Sequence, residues 1–154
     1  MNKEIEIYIQ DDTFEYTLIT RTRGYRFDVY VKYKNKFFRM YVSSRQTFEQ
    51  LLKINYNNNG FYDSESNLLI VKKVTKENII QAILKNAELN YFDKIKEWEV
   101  IENEIMYPLN EETIASHKKL NLPISIKIDK LIEIYSYKNE KSKENADSIG
   151  GKYE

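Results

Sequence analysis

Apolar and polar positions alternate along the first third of the chain. Tyr25, Phe27, Val29, Val31 and Tyr33 are interleaved with Arg26, Asp28, Tyr30 and Lys32, the period-2 pattern of a strand with one face buried. With Lys34 and Asn35 as a two-residue turn, Tyr33 falls opposite Lys36, Val31 opposite Phe38, Val29 opposite Met40 and Phe27 opposite Val42. All the apolar residues then share one face. A slip of one residue would send the whole set to the other face, so the pattern specifies its own register. Asn tolerates the positive φ that a two-residue hairpin turn requires, although the favoured Asn-Gly is missing and a four-residue loop also fits.

The same arithmetic runs back toward the N-terminus. A turn over residues 21–24 sets Leu18 against Phe27, Tyr16 against Val29 and Phe14 against Val31. A turn over 10–13 sets Ile9 against Phe14, Ile7 against Tyr16 and Ile5 against Leu18. Because these registers agree, the pattern predicts a four-stranded antiparallel meander over residues 4–43.

Beyond the meander the period changes. Ser43 or Ser44 can cap a short helix through Lys53 that buries Phe48, Leu51 and Leu52. Residues 55–67, NYNNNGFYDSESN, read as a polar loop, and Leu68 to Lys73 as a short strand. Thr75 caps a helix over about 76–89, with Ile79, Ile80, Ile83 and Ala87 at helical spacing. Residues 91–106 fit both periods and are read as a helix running into a strand. Asn110, followed by Glu111 and Glu112 at the positive end of the helix dipole, starts another helix that reaches Leu120. After Pro123, alternation through Ile124, Ile126 and Ile128 fits a strand, whereas Ile124, Ile128, Leu131 and Tyr135 fit a helix; both readings stay open.

The expected fold class is therefore α+β: an N-terminal four-stranded antiparallel meander packed with two to four helices and one or more further strands. Residues 1–138 form one domain, and the charged stretch 139–154, poor in large apolar groups, is expected to be a disordered tail. At 154 residues the chain is long enough to bury roughly 70% of its unfolded surface. The absence of cysteine excludes disulfides, cysteine-ligated metal and thiol catalysis, and fits a reducing compartment. Glutamates interrupt the apolar run at the N-terminus, and nothing approaches the length of a membrane span, so neither secretion nor insertion is expected and the cytoplasm is the default. Abundant Lys, Asn, Ile, Glu and Tyr beside 4 Gly and 2 Pro point to an AT-rich genome, such as that of a low-GC bacterium, its phages or its plasmids.

The net charge is zero, but the charges are segregated. Between Arg21 and Lys53 there are nine Lys or Arg against Asp28 and Glu49, whereas Lys85 to Glu112 holds eight acids and three lysines. Such a chain offers a basic face and an acidic face to different partners. The outward face of the central hairpin would carry Arg26, Tyr30, Lys32, Phe37, Arg39 and Tyr41, the rings and cations that single-stranded nucleic acid prefers. The bland reading of that face is cross-strand packing, or burial beneath later elements. Glu97, Glu99, Glu102 and Glu104 would form an acidic stripe for a basic partner.

Other chemistry finds little support. Placing Gly60 at the fixed glycine of an EF-hand loop puts Asn55, Asn57 and Asn59 at ligand positions, but Ser66 stands where the bidentate glutamate belongs. His117, the only histidine, has no second His or Cys for a metal site and no nucleophile beside it; it reads as a solvent-facing helix residue. No glycine-rich phosphate loop is present. No cofactor and no metal are expected. The reading that follows is a non-catalytic cytoplasmic protein that binds another protein, such as a nuclease or toxin, in the manner of immunity proteins, antitoxins or phage-encoded inhibitors. The alternative is a single-stranded nucleic-acid-binding module using the basic-aromatic face. The chain is expected to be a monomer, or a dimer paired along an exposed edge strand at Ile5 to Ile9.

Overall fold

The computed structural model describes residues 4–59 and 67–138. Its centre is the hairpin that the sequence announces. Strands β2 (Tyr25–Tyr33) and β3 (Lys36–Ser44) are antiparallel, with Tyr33 opposite Lys36, Val31 opposite Phe38 and Val29 opposite Met40. Lys34 and Asn35 both take positive φ, 53° and 63°, so they form the expected two-residue turn. At the far end the register shifts: Arg26 pairs with Val42, so Phe27 and Asp28 together face Tyr41 alone. That is a β-bulge, and it replaces the expected pairing of Phe27 with Val42.

Strand β1 (Ile5–Ile9) lies directly against β2, with Ile5 opposite Tyr33 and Ile9 opposite Val29. The segment between them is not a strand. It is helix α1 (Phe14–Arg23), which corrects the expected second strand of the meander. Its ends explain the preference. Thr13 accepts a hydrogen bond from the Tyr16 N–H, Glu15 lies in the first turn, and Arg21 and Arg23 lie in the last. Gly24 closes the helix at φ 74°, donating its N–H to the Thr20 carbonyl at 2.7 Å. A side chain there would collide with Thr47 Oγ1 at 2.1 Å, so glycine is required by space as well as by φ.

Helix α2 (Arg45–Asn59) follows β3 directly, with Ser44 Oγ accepting from the Thr47 N–H at 3.1 Å, and runs past the expected end at Lys53. Leu52, expected on its buried side, is exposed, whereas Phe48 and Leu51 are half-buried. Asn55, Asn57 and Asn59 thus belong to a helix, not to a loop, and the rest of the calcium-like stretch, 60–66, lies outside the described residues. Strand β4 (Leu68–Val71) joins β3 in parallel, and helix α3 (Lys76–Glu88) then crosses the sheet with Thr75 as its N-cap.

A short 3-10 turn at Tyr91–Asp93 leads to β5 (Val100–Ile101) and β6 (Glu104–Met106). Their turn is Glu102–Asn103, with φ 48° and 67°. Helix α4 (Glu111–Lys119) starts at Asn110 as expected, its Oδ1 accepting from the Thr113 N–H. The undecided stretch after Pro123 resolves into β7 (Ser125–Lys127), a 3-10 turn, and β8 (Ile132–Tyr137).

Two sheets result: β4-β3-β2-β1-β8, and the smaller β5-β6-β7. The α+β class expected from the sequence is what these helices and sheets form. Strand β1 is interior, flanked by β2 and by β8, whose Tyr137 lies opposite Ile5. This corrects the expectation of an open edge at Ile5 to Ile9; the sheet's edges are β4 and β8. One face of the large sheet, including Ile5, Ile7, Ile9, Val29, Val31, Phe38, Met40 and Val42, is sealed by Ile79, Ile83 and Ala87 of α3 together with Phe92. The charged stretch 139–154 lies outside the described residues. Among the described residues, no helix is long and apolar enough to cross a membrane.

Candidate functional site

The other face of the large sheet carries five of the six residues singled out as a basic-aromatic surface, all but Arg26, which the bulge sets opposite the core residue Val42, and it is partly covered. The three-stranded sheet lies over it, with the Trp98 N–H donating to the Phe37 carbonyl at 2.7 Å. Tyr30 and Phe37 pack with Ile105 and Ile126 in a second core, flanked by Tyr8, Trp98, Tyr107, Ile128 and Leu131. Tyr30 is 2 % exposed and Phe37 6 %, so the expected stacking rings are interior. Burial pushes the Tyr30 hydroxyl up to about 12, against the lowering pull of the Arg39 charge, and it therefore keeps its proton at neutral pH.

Arg26, also expected outside, is 4 % exposed. Its Nε donates to Asp28 Oδ1 at 2.6 Å, and a terminal nitrogen of its guanidinium donates to the Asp11 carbonyl. Asp28 Oδ2 accepts from the Gln10 and Asp11 N–H groups at 3.0 and 3.1 Å, and the Tyr16 hydroxyl donates to Oδ1 at 3.3 Å. The Arg26 guanidinium also lies 4.6 Å from the centre of the Tyr16 ring. This cluster pins α1 and the end of β1 to the bulge, so Arg26 is structural. Burial and the Asp28 charge push the Tyr16 hydroxyl up to about 12.

Lys32 is half-buried, with its Nζ 6.0 Å from the Phe37 ring centre. Arg39 and Tyr41 remain at the surface, half-buried, and the bulge gives them neighbours that the alternation had assigned to the core. With an extra residue in β2, Tyr25 and Phe27 turn to the outer face. Tyr25 stacks on Tyr41 at 6.0 Å and on Phe27 at 6.3 Å. The Arg39 guanidinium then lies 5.4 Å from the Phe27 ring centre and 5.2 Å from that of Trp98. A ribbon therefore runs Tyr41, Tyr25, Phe27, Arg39, Trp98. Of its members, Tyr25, Phe27 and Trp98 were missed. A strict period of two hid the first pair, and the Trp98 contact joins segments far apart in sequence.

Beside the ribbon, between the sheets, lies a cleft of about 850 Å³. Phe27, Tyr30, Trp98 and Tyr107 line it with Arg39 and Lys96, and no acidic side chain is among its lining residues. Arg39 Nε donates to the Phe27 carbonyl at 2.6 Å; the side chain makes no other hydrogen bond and no ion pair among the described residues.

The acidic stripe does not form one strand face. Glu97 and Glu99 precede β5, Glu102 is in the turn, and Glu104 is in β6. Glu97 lies 3.8 Å from Lys36 Nζ, and Glu104 accepts a hydrogen bond from the Ser125 hydroxyl, which leaves Glu99 and Glu102 as exposed carboxylates. His117 is half-buried, its Nδ1 3.0 Å from the Pro123 carbonyl, where it ties the end of α4 to the next turn. Among the described residues, no group of three His, Cys, Asp or Glu side chains could hold a metal ion.

A second surface stands apart. Only Thr20 of α1 is buried, and the outward face presents Phe14 at 77 % exposure and Leu18 at 52 %, one turn apart, with Ile19 beside them. No family model, no curated protein and no solved structure matches this chain.

Proposed function

We propose that this chain acts by binding another protein, and that the outward face of α1 is the contact surface. The observation that carries the reading is the exposure of Phe14 and Leu18 on adjacent turns of a helix held to the body by its opposite side. Contiguous exposed apolar side chains of this size mark interaction sites on monomeric proteins, and aromatic anchors dominate their energetics. Arg21 and Arg23 lie at the basic end of the same helix. The partner is thus a protein with an apolar groove whose rim is acidic beside the C-terminal end of α1. A cytoplasmic inhibitor of the immunity-protein or antitoxin kind, set against a toxin or nuclease, works through such a surface.

The test is enrichment from source cells with wild-type chain and with Leu18→Glu, followed by reconstitution with the purified partner. Leu18→Glu and Phe14→Ala are each expected to weaken the reconstituted complex by ~2 kcal/mol or more, roughly 30-fold. Equal affinity for wild type and both variants would remove α1 from the interface. Charge reversal of Glu99 and Glu102 separates the acidic-stripe version, which alone predicts loss of binding in that variant.

A further inference from the structure

We propose that the cleft between the two sheets binds a nucleotide unit, a flat base carrying a phosphate. Arg39 supplies the first reason. Its Nε is fixed by the Phe27 carbonyl, and rings on either side, 5.4 and 5.2 Å away, hold its position. The terminal nitrogens keep their donors unspent, without a carboxylate among the described residues. A guanidinium so placed is prepared for two parallel hydrogen bonds to phosphate oxygens. Lys96, which also lines the cleft and stands outside every ion pair of the described residues, adds a second cation.

Tyr30 supplies an independent reason. The residue is 2 % exposed, its hydroxyl makes no hydrogen bond among the described residues, and it lines the cleft. Among the described residues no sealed side-chain oxygen or nitrogen lacks a partner, so this hydroxyl opens onto the cleft, where it can meet a polar atom of a ligand. The rings decide between ligands. An acidic peptide would satisfy the cations but make no use of the Trp98 and Tyr107 rings that line the cleft, whereas a base stacks on such rings and offers polar edges to Tyr30. The volume of about 850 Å³ lies within the roughly 300–1,000 Å³ of small-ligand sites. The nucleotide unit can arrive free or as part of a single strand; in a duplex its base is locked in the stack.

Trp98 is the only tryptophan in the chain, so its emission reads occupancy of the cleft directly. The full chain is titrated with AMP, CMP, a short single-stranded oligothymidylate, a duplex, inorganic phosphate and oligoglutamate. A saturable change is expected with mononucleotide or single strand, weakened roughly 10-fold in Arg39→Lys and in Tyr30→Phe. Tyr30→Phe removes one oxygen and leaves the ring packing, so an unchanged circular dichroism spectrum and Tm keep the comparison valid. Tighter binding of the strand identifies a nucleic acid as the source, and equal binding of AMP or CMP a free nucleotide. The proposal is overturned if no nucleotide saturates the signal at millimolar concentration. It also falls if phosphate or oligoglutamate binds as tightly as the nucleotides, or if both variants bind like wild type. None of these outcomes touches the α1 reading, because Phe14 and Leu18 lie outside the cleft.

Discussion

The two faces of the five-stranded sheet are built from alternate residues of the same strands, yet they do different work. Against α3 the side chains are mostly aliphatic and buried, from Ile5, Ile7 and Ile9 to Val29, Val31 and Met40, with Tyr33 and Phe38 packed on Phe92 at one end. Such groups interlock without polar atoms to satisfy, so they seal. Toward the small sheet the layer is aromatic: Tyr30 and Phe37 buried, Trp98 and Tyr107 half-buried, with Arg39 among them. Rings with polar tips tolerate water at one end and do not fill space evenly, and a cleft remains. One side of the sheet is closed, and the other keeps the cleft in which the proposed nucleotide site lies.

The seam between the faces should be the most sensitive place to break. Asp28→Ala leaves the Arg26 guanidinium buried and uncompensated, and should cost about 3–5 kcal/mol in urea unfolding. A cost under about 1 kcal/mol would mean that the cluster pins nothing. On the sealed face, Ile83→Ala should cost about 3 kcal/mol through lost contacts and a cavity, with no effect on Trp98 emission on adding nucleotide.

The aromatic face should reveal itself at alkaline pH. Tyr30 titrates near 12 in the folded chain against an ordinary 10, so its contribution to stability is complete below pH 10 and lost as pH rises toward 12. Tyr16 behaves alike at the seam. Urea midpoints between about pH 9 and 11.5 should fall more steeply in wild type than in Tyr30→Phe. Parallel curves would mean that the hydroxyl titrates as if exposed. The smallest effect belongs to the turn between β2 and β3. Asn35→Gly relieves a positive φ of 63° and should raise stability by about 0.5 kcal/mol while leaving both faces unchanged.

The elements legible in the sequence are those whose instructions are local. The hairpin register from Lys34–Asn35 to Val29 opposite Met40, the caps Thr75 and Asn110, and the apolar stripe of α3 could all be read from neighbouring residues. Phe14 to Thr20 could not, because two local patterns coexist there. Alternating Phe14, Tyr16 and Leu18 suggest a strand, whereas Thr13, Glu15, Arg21 and Gly24 suggest a helix. What decided between them was distant: β8, more than a hundred residues away, takes one side of β1, and β2 takes the other.

The same division holds for the candidate sites. Sequence alone determined that Arg39 and a set of rings share the outer side of the hairpin, since alternation is a property of the extended backbone. Only tertiary structure decided that Tyr30 and Phe37 would be covered, and that a bulge would turn Tyr25 and Phe27 outward. It alone brought Trp98 from a later segment to complete the ribbon. The reason is physical. A strand's period fixes which side chains share a face, but what covers that face depends on pairings between segments remote in sequence, which no local pattern encodes.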